Sequence, residues 1–413
     1  MRARIASAVL ALACASGCAS SPDEALLGRE AGYPAAPKLS RIHEPGFIVG
    51  SFSAMDTLGP HCMLAPSEHP LALRTATSPP TFHYRFDGRT LTLDDYLQHQ
   101  RATAVLVLKD GELVAERYAY GRGPDMRMLS NSMAKTLVAL AVGQALEEGA
   151  IHSLDDPAER YLPELKDTLY GQTRLVNLLR MASGARYVED YTDGDDRARF
   201  NAEARRHGVL AAARSVTERA DPQGARFNYA GAQTEVLGLV LRAATRRSLC
   251  DVVDERLWKA IGAESAASYL LNAVDGVEQS QGGFNATARD YARLGWMLAS
   301  DGRVGETQVV PRDWLLAMTD AGRQPPQFRP GAMDSHGSHY LGYGYQVWLM
   351  PGAHRRFALL GVYGQAIYVD PAAGLVMVHL AVGADARGDA SGARLANERD
   401  ALWRGVVAQY GAW

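Results

Sequence analysis

The sequence predicts an α+β protein. One antiparallel sheet is assembled from both ends of the chain and flanked by the two terminal helices, with a mostly helical domain inserted between. Three observations carry that expectation. Two apolar-alternating runs flank Asp110-Gly111 in TAVLVLKDGELVAERYAY (103–120), a strong hairpin signal. Residues from about 151 to 285 read as helices and irregular loops. After them GYGYQVWLM, RRFALLGV, GQAIYVDP and GLVMVHLAV return to short apolar strands, and the amphipathic NERDALWRGVVAQY closes the chain.

Residues 1–18 come first. They open with the basic MRAR and continue into the apolar IASAVLALACAS, too short for a stable membrane span. They read as a secretory signal. Small residues before Cys18 read as a lipobox, which would leave Cys18 lipidated and the protein anchored at the bacterial outer membrane, facing the periplasm. Ordinary cleavage near Ala15 is the alternative, and both export the chain. Residues 19–75 are rich in Pro, Ala and Gly and read as a linker or an extension lying over the body. Residues 76–150 form the first part of the sheet domain, with a helix from Ser132 to near Gly149. In 151–285, Thr173 caps a helix with a Leu175, Leu178 and Leu179 stripe. Residues 286–413 complete the sheet domain. There NATARDYARLGWMLASDGR is a capped helix closed by Asp301-Gly302, and Pro311 opens another.

Composition excludes some functions. The 413 residues are 47% hydrophobic, enough for a large core. Net charge is −3, from 43 basic and 46 acidic residues, so no basic excess exists to neutralise nucleic-acid phosphates. Beyond the N-terminus no 20-residue window is apolar enough to span a bilayer. A membrane partner is expected only through the lipid anchor. Cys62 and Cys250 remain beyond the signal, and either a bridge or two buried thiols fits an exported chain.

The chemistry centres on LSNSMAKTL (129–137). Ser132 and Lys135 stand at i and i+3 at a helix start and share a face. Free N–H groups there favour a developing oxyanion. A lysine whose surroundings lower its pKa can take the serine proton. A capping serine beside an exposed lysine would look the same. However, five lysines and 22 serines in 413 residues make a chance Ser-x-x-Lys match uncommon. The other cations are arginines, which cannot act as bases at neutral pH. Tyr229, on a Gly-rich approach to a helix in PQGARFNYAGAQTEVLGLVL (222–241), is the candidate second proton carrier.

SMAK, FNYAGAQTEVLG and the strand LLGVYGQAIYVDP, in this order, resemble the serine β-lactamase and penicillin-binding-protein superfamily. The class C-like branch, with 6-aminohexanoate-dimer hydrolases and family VIII carboxylesterases, is the most similar. The resemblance runs from about residue 80 to the C-terminus. It implies a β-lactamase/transpeptidase-like fold, Ser132 as acyl-accepting nucleophile, Lys135 as its base and Tyr229 completing the acid/base set. LLRMASGARYVEDY resembles the segment whose tyrosine contacts the substrate amide, here Tyr191. YGYQVW places a pocket tryptophan at Trp348. The Gly361 strand places the second oxyanion N–H at Val362, beside that of Ser132. Two positions depart from the lactamase pattern: Gly231 stands where Tyr-x-Asn has its asparagine, and no Lys-Thr-Gly occurs.

The resemblance therefore implies an exported serine hydrolase of esters or linear amides, with no cofactor and no metal. A D-alanyl-D-alanine peptidase, a weak β-lactamase, or a non-catalytic module binding peptidoglycan are the alternatives. Gly-x-Ser-x-Gly, His-Glu-x-x-His and a dinucleotide fingerprint are all missing. His336 and His339, the histidines lying nearest each other, read as loop residues near a cleft.

Overall fold

The computed structural model describes residues 21–333, 340–387 and 394–411. Cys18, His336 and His339 lie outside them. A seven-stranded sheet runs in the order 342–343, 348–349, 357–361, 365–370, 375–381, 102–109, 112–118. Every neighbouring pair is antiparallel. The late strand Leu375–Ala381 pairs with the early strand Ala102–Lys109, so both chain ends build one sheet, as the sequence predicts.

The continuous apolar run of Ala102–Lys109 has a simple cause. Ala104, Leu106 and Leu108 enter the core on one face, and Val105 and Val107 enter a second core on the other. Strand alternation thus buries both faces. The Asp110-Gly111 turn has φ of 51° and 83°, the positive values that a two-residue hairpin turn requires. The helices Leu93–His99 and Arg394–Tyr410 share one sheet face, through Tyr96, Leu402 and Trp403. Ala288–Ala299, capped by Thr287, covers the other face. Thr173 does not cap its helix: Arg174 holds that position, and the Thr173 hydroxyl donates to the Leu169 carbonyl at 2.8 Å.

A four-stranded sheet positions the serine. Its order is His61–Leu64, Ala267–Leu270, Phe284–Thr287, Arg127–Leu129. The last pair sets residues 280–284 beside residues 127–135, and Ser130 N–H donates to the Phe284 carbonyl at 2.8 Å. Residues 21–75 are more than a covering linker. They include the helix Pro45–Ser53, the buried Leu27, Ile48, Val49 and Phe52, and an edge strand of this sheet.

Cys62 and Cys250 are joined in a disulfide, with Cα atoms 6.6 Å apart and a sequence separation of 188. It ties the edge strand to the helix Leu249–Val253. Reducing it is expected to cost about 2–5 kcal/mol of stability. Urea melts with and without a reductant check this, and coincident melts would show that the bridge contributes nothing.

Candidate active site

Ser132 sits in a 3₁₀ turn, Asn131–Met133, directly before the helix Ala134–Glu147. Asn131 has φ of 46°, an uncommon value for a non-glycine residue, and its side chain donates to the Val362 carbonyl at 3.1 Å. That bond fastens the turn after Gly361 to the turn that carries the serine.

Lys135 is 2% exposed. Its Nζ donates to Ser132 Oγ at 3.0 Å and to the Gln281 carbonyl at 2.6 Å. Burial lowers its pKa to about 8, although Glu189 and Glu235 pull the other way. Tyr229 is buried, its hydroxyl hydrogen-bonds Ser132, and its ring lies against Lys135 with Nζ 5.2 Å from the centroid. Burial and Glu189 raise the tyrosine well above its ordinary value. The two candidates are therefore set apart: the phenol keeps its proton over the range in which the lysine loses its own, so the lysine is the group able to accept one.

Trp348 stacks on Tyr229, with centroids 5.8 Å apart and planes 19° from parallel. Tyr191 has φ of 60°, donates its hydroxyl to Glu189 at 2.9 Å, and lies under the Arg197 guanidinium at 4.7 Å. Glu189 also accepts the Gly231 N–H at 2.6 Å. Gly361 packs against the serine turn so closely that a Cβ there would lie 2.6 Å from the Ser130 carbonyl oxygen.

Ser132, Tyr191, Tyr229, Trp348, Gly361 and Val362 all line one cavity of ≈ 250 Å³. Lys135 reaches it through Ser132. Sequence reasoning thus named seven residues, far apart in the chain, that the fold brings to one place. Beyond them the lining joins the apolar Leu341, Met350, Ala358 and Leu360 to the polar Arg387, Asn397, Arg399 and Asp400.

Sequence reasoning missed several neighbours. Glu189, two residues before Tyr191, ties that segment to the start of the Tyr229 helix. Arg387 donates to Asp190 at 2.9 Å, joining the loop after Leu375–Ala381 to the Tyr191 segment at the cavity lip. His43, from the N-terminal stretch, stacks on Tyr363 at 4.8 Å and 11°, and Phe52 meets that ring edge-on at 5.7 Å. Tyr363 itself has φ of 60° and follows Val362 directly. Of these, only the acidic residues flanking Tyr191 gave any signal in the sequence.

The geometry defines a serine hydrolase site, and comparison with known proteins agrees. The beta-lactamase family profile matches residues 92–401, about three-quarters of the chain. The chain belongs to that family and is a serine hydrolase. It is 29% identical over 308 residues to the 6-aminohexanoate-dimer hydrolase of Paenarthrobacter ureafaciens, covering 72% of this chain and 77% of that one. A solved structure of a Bacillus anthracis protein assigned as a 6-aminohexanoate-dimer hydrolase superposes with a TM-score of 0.76. Identity to it is 24%, with 89% of this chain and 96% of that one covered. A family VIII carboxylesterase structure shares the fold at a TM-score of 0.53 and 18% identity, over 74% of this chain and 93% of that one.

Proposed function

We propose that the protein is an exported hydrolase of esters or linear amides that works through an acyl-enzyme on Ser132. The observation that carries this is the buried Lys135, with its lowered pKa, 3.0 Å from Ser132 Oγ and beside a protonated Tyr229. Lys135 Nζ takes the Oγ proton as Oγ bonds to the carbonyl carbon. The Ser132 and Val362 N–H groups hold the oxyanion. Collapse breaks the bond to the leaving oxygen or nitrogen, which takes the Tyr229 proton, and the Lys135 ammonium returns a proton to Tyr229. Water then attacks the acyl carbon, giving one proton to Lys135, and the acid leaves as Oγ regains a proton.

The strand Leu359-Leu360-Gly361 carries no lysine for a β-lactam carboxylate, and the apolar part of the lining, Leu341, Met350, Ala358 and Leu360, suits an aliphatic chain. The similarity to a 6-aminohexanoate-dimer hydrolase supports linear amides among the substrates. Export with a lipid anchor on Cys18 is part of the same reading and rests on the N-terminal signal. Hydrolysis of p-nitrophenyl butyrate by the mature protein and by Ser132→Ala tests the catalytic reading. The variant is expected to fall at least about 10³-fold, to background. Equal rates in the two proteins would remove Ser132 as the nucleophile.

A further inference from the structure

One face of the helix Gly231–Thr245 is shaped to hold residues 280–281. Gly231, Glu235 and Gly238 stand at i, i+4 and i+7, so they share that face. At each glycine a side chain would have to displace a side chain of that segment. A Cβ on Gly231 would lie 1.9 Å from Gln281 Oε1, and one on Gly238 would lie 2.1 Å from Ser280 Oγ. Between the two glycines, Glu235 is buried at 3% exposure. Its two carboxylate oxygens each accept one backbone N–H at 3.2 Å, from Ser280 and from Gln281.

The same Gln281 turns its carbonyl toward Lys135 and accepts from Nζ at 2.6 Å. A carboxylate, the main chain of Gln281 and the candidate base are therefore joined in series. The arrangement also accounts for the departure at Gly231. The space a side chain would take there is filled by the Gln281 carboxamide, which donates to Asn201 Oδ1 at 3.1 Å.

We propose that Gly231, Glu235 and Gly238 form a clamp on the Ser280–Gln281 segment, and that Glu235 is the positioning residue that holds Lys135 on Ser132 through the main chain of Gln281. The proposal rests on the reading of Lys135 as the base for Ser132. Glu235 acts without touching substrate: it does not line the cavity. Its influence has two parts. The N–H bonds fix where the Gln281 carbonyl points, and the carboxylate charge favours the ammonium form of Lys135. Burial is the largest influence on Lys135 and lowers it, Glu189 and Glu235 raise it, and Arg197 lowers it. Burial raises Glu235 to about 7, against the two N–H bonds and Lys135, so most of it is ionised at the pH where Lys135 gives up its proton.

Glu235→Gln separates this role from simple scaffolding. It removes the charge and sets an NH₂ group against one of the two N–H donors. With fewer negative charges nearby, Lys135 loses its proton more readily. The acidic limb of the kcat/KM profile is expected to move to lower pH by about one unit. The value of kcat falls about tenfold as the lysine drifts from Ser132. Glu235→Asp, which keeps the charge, should retain the limb. The chain has five lysines, so ¹³Cε-lysine NMR follows Lys135 directly, without turnover. A Lys135 titration and a limb that both stay put in Glu235→Gln would overturn the clamp, whatever happens to the melting temperature. Should Glu235→Gln fail to fold, a limb that moves in Glu235→Asp overturns it equally. The NMR titration judges the clamp even if Ser132→Ala leaves hydrolysis intact, so the two readings fail separately.

Discussion

Replacing Lys135 with methionine is expected to lower kcat/KM for p-nitrophenyl butyrate about 10³-fold, with the fold intact. Methionine fills the same buried space, because Lys135 is almost fully enclosed, but it offers no nitrogen to Ser132. Lys135→Arg should fail as completely. A guanidinium does not give up its proton in this pH range, so it cannot take one from Oγ. The pH dependence has a definite sign. The base must be neutral before it can accept a proton, so kcat/KM rises with pH along a limb centred near 8 in the wild type. Circular dichroism and a pH profile for each variant check the set. A Lys135→Met enzyme within tenfold of wild type would move the base to another residue.

The second large effect is expected at Gly361. Gly361→Ala places a methyl group 2.6 Å from the Ser130 carbonyl oxygen, 3.0 Å from the Gln365 Cβ and 3.1 Å from the Asn131 Cβ. The first and last of these belong to the stretch that carries Ser132. The strand Phe357–Gly361 must therefore retreat from the serine turn, and the Val362 N–H retreats with it. Losing one oxyanion donor costs about 10²–10³ in kcat. KM should change little, because the ground-state carbonyl is held less firmly than the oxyanion. Steady-state kinetics separate the two terms. A variant with normal kcat would show that the second donor lies elsewhere.

The candidate catalytic residues were legible because their chemistry is local. Ser132 and Lys135 are one helical turn apart, and lysine is scarce in a chain that uses arginine for its other positive charges. Tyr229 and Gly361 sit in short patterns that the resemblance could place. The sheet was legible because strands such as Ala102–Lys109 are apolar on both faces and bounded by turn residues.

What escaped was the support around those residues. Glu235 looks like any acid on an amphipathic helix, since its partners are two peptide N–H groups more than 40 positions away in sequence. No side-chain pattern can announce a bond to backbone. Residues 21–75 escaped for a related reason. Their elements are too short to show a period, yet Ile48, Val49 and Phe52 are buried. The bridge between Cys62 and Cys250 needed a fold before the two thiols could be said to meet.

That bridge has a mechanical consequence. Were the protein held at its N-terminal end, any pull would first load residues 21–61 and then arrive at Cys62. There the force leaves the backbone of a four-residue edge strand and passes through sulfur into the helix Leu249–Val253. Residues 63–249, which include the strand Arg127–Leu129 and the turn that carries Ser132, are thus bypassed. The weak point moves upstream, to the segment whose His43 and Phe52 rest on Tyr363.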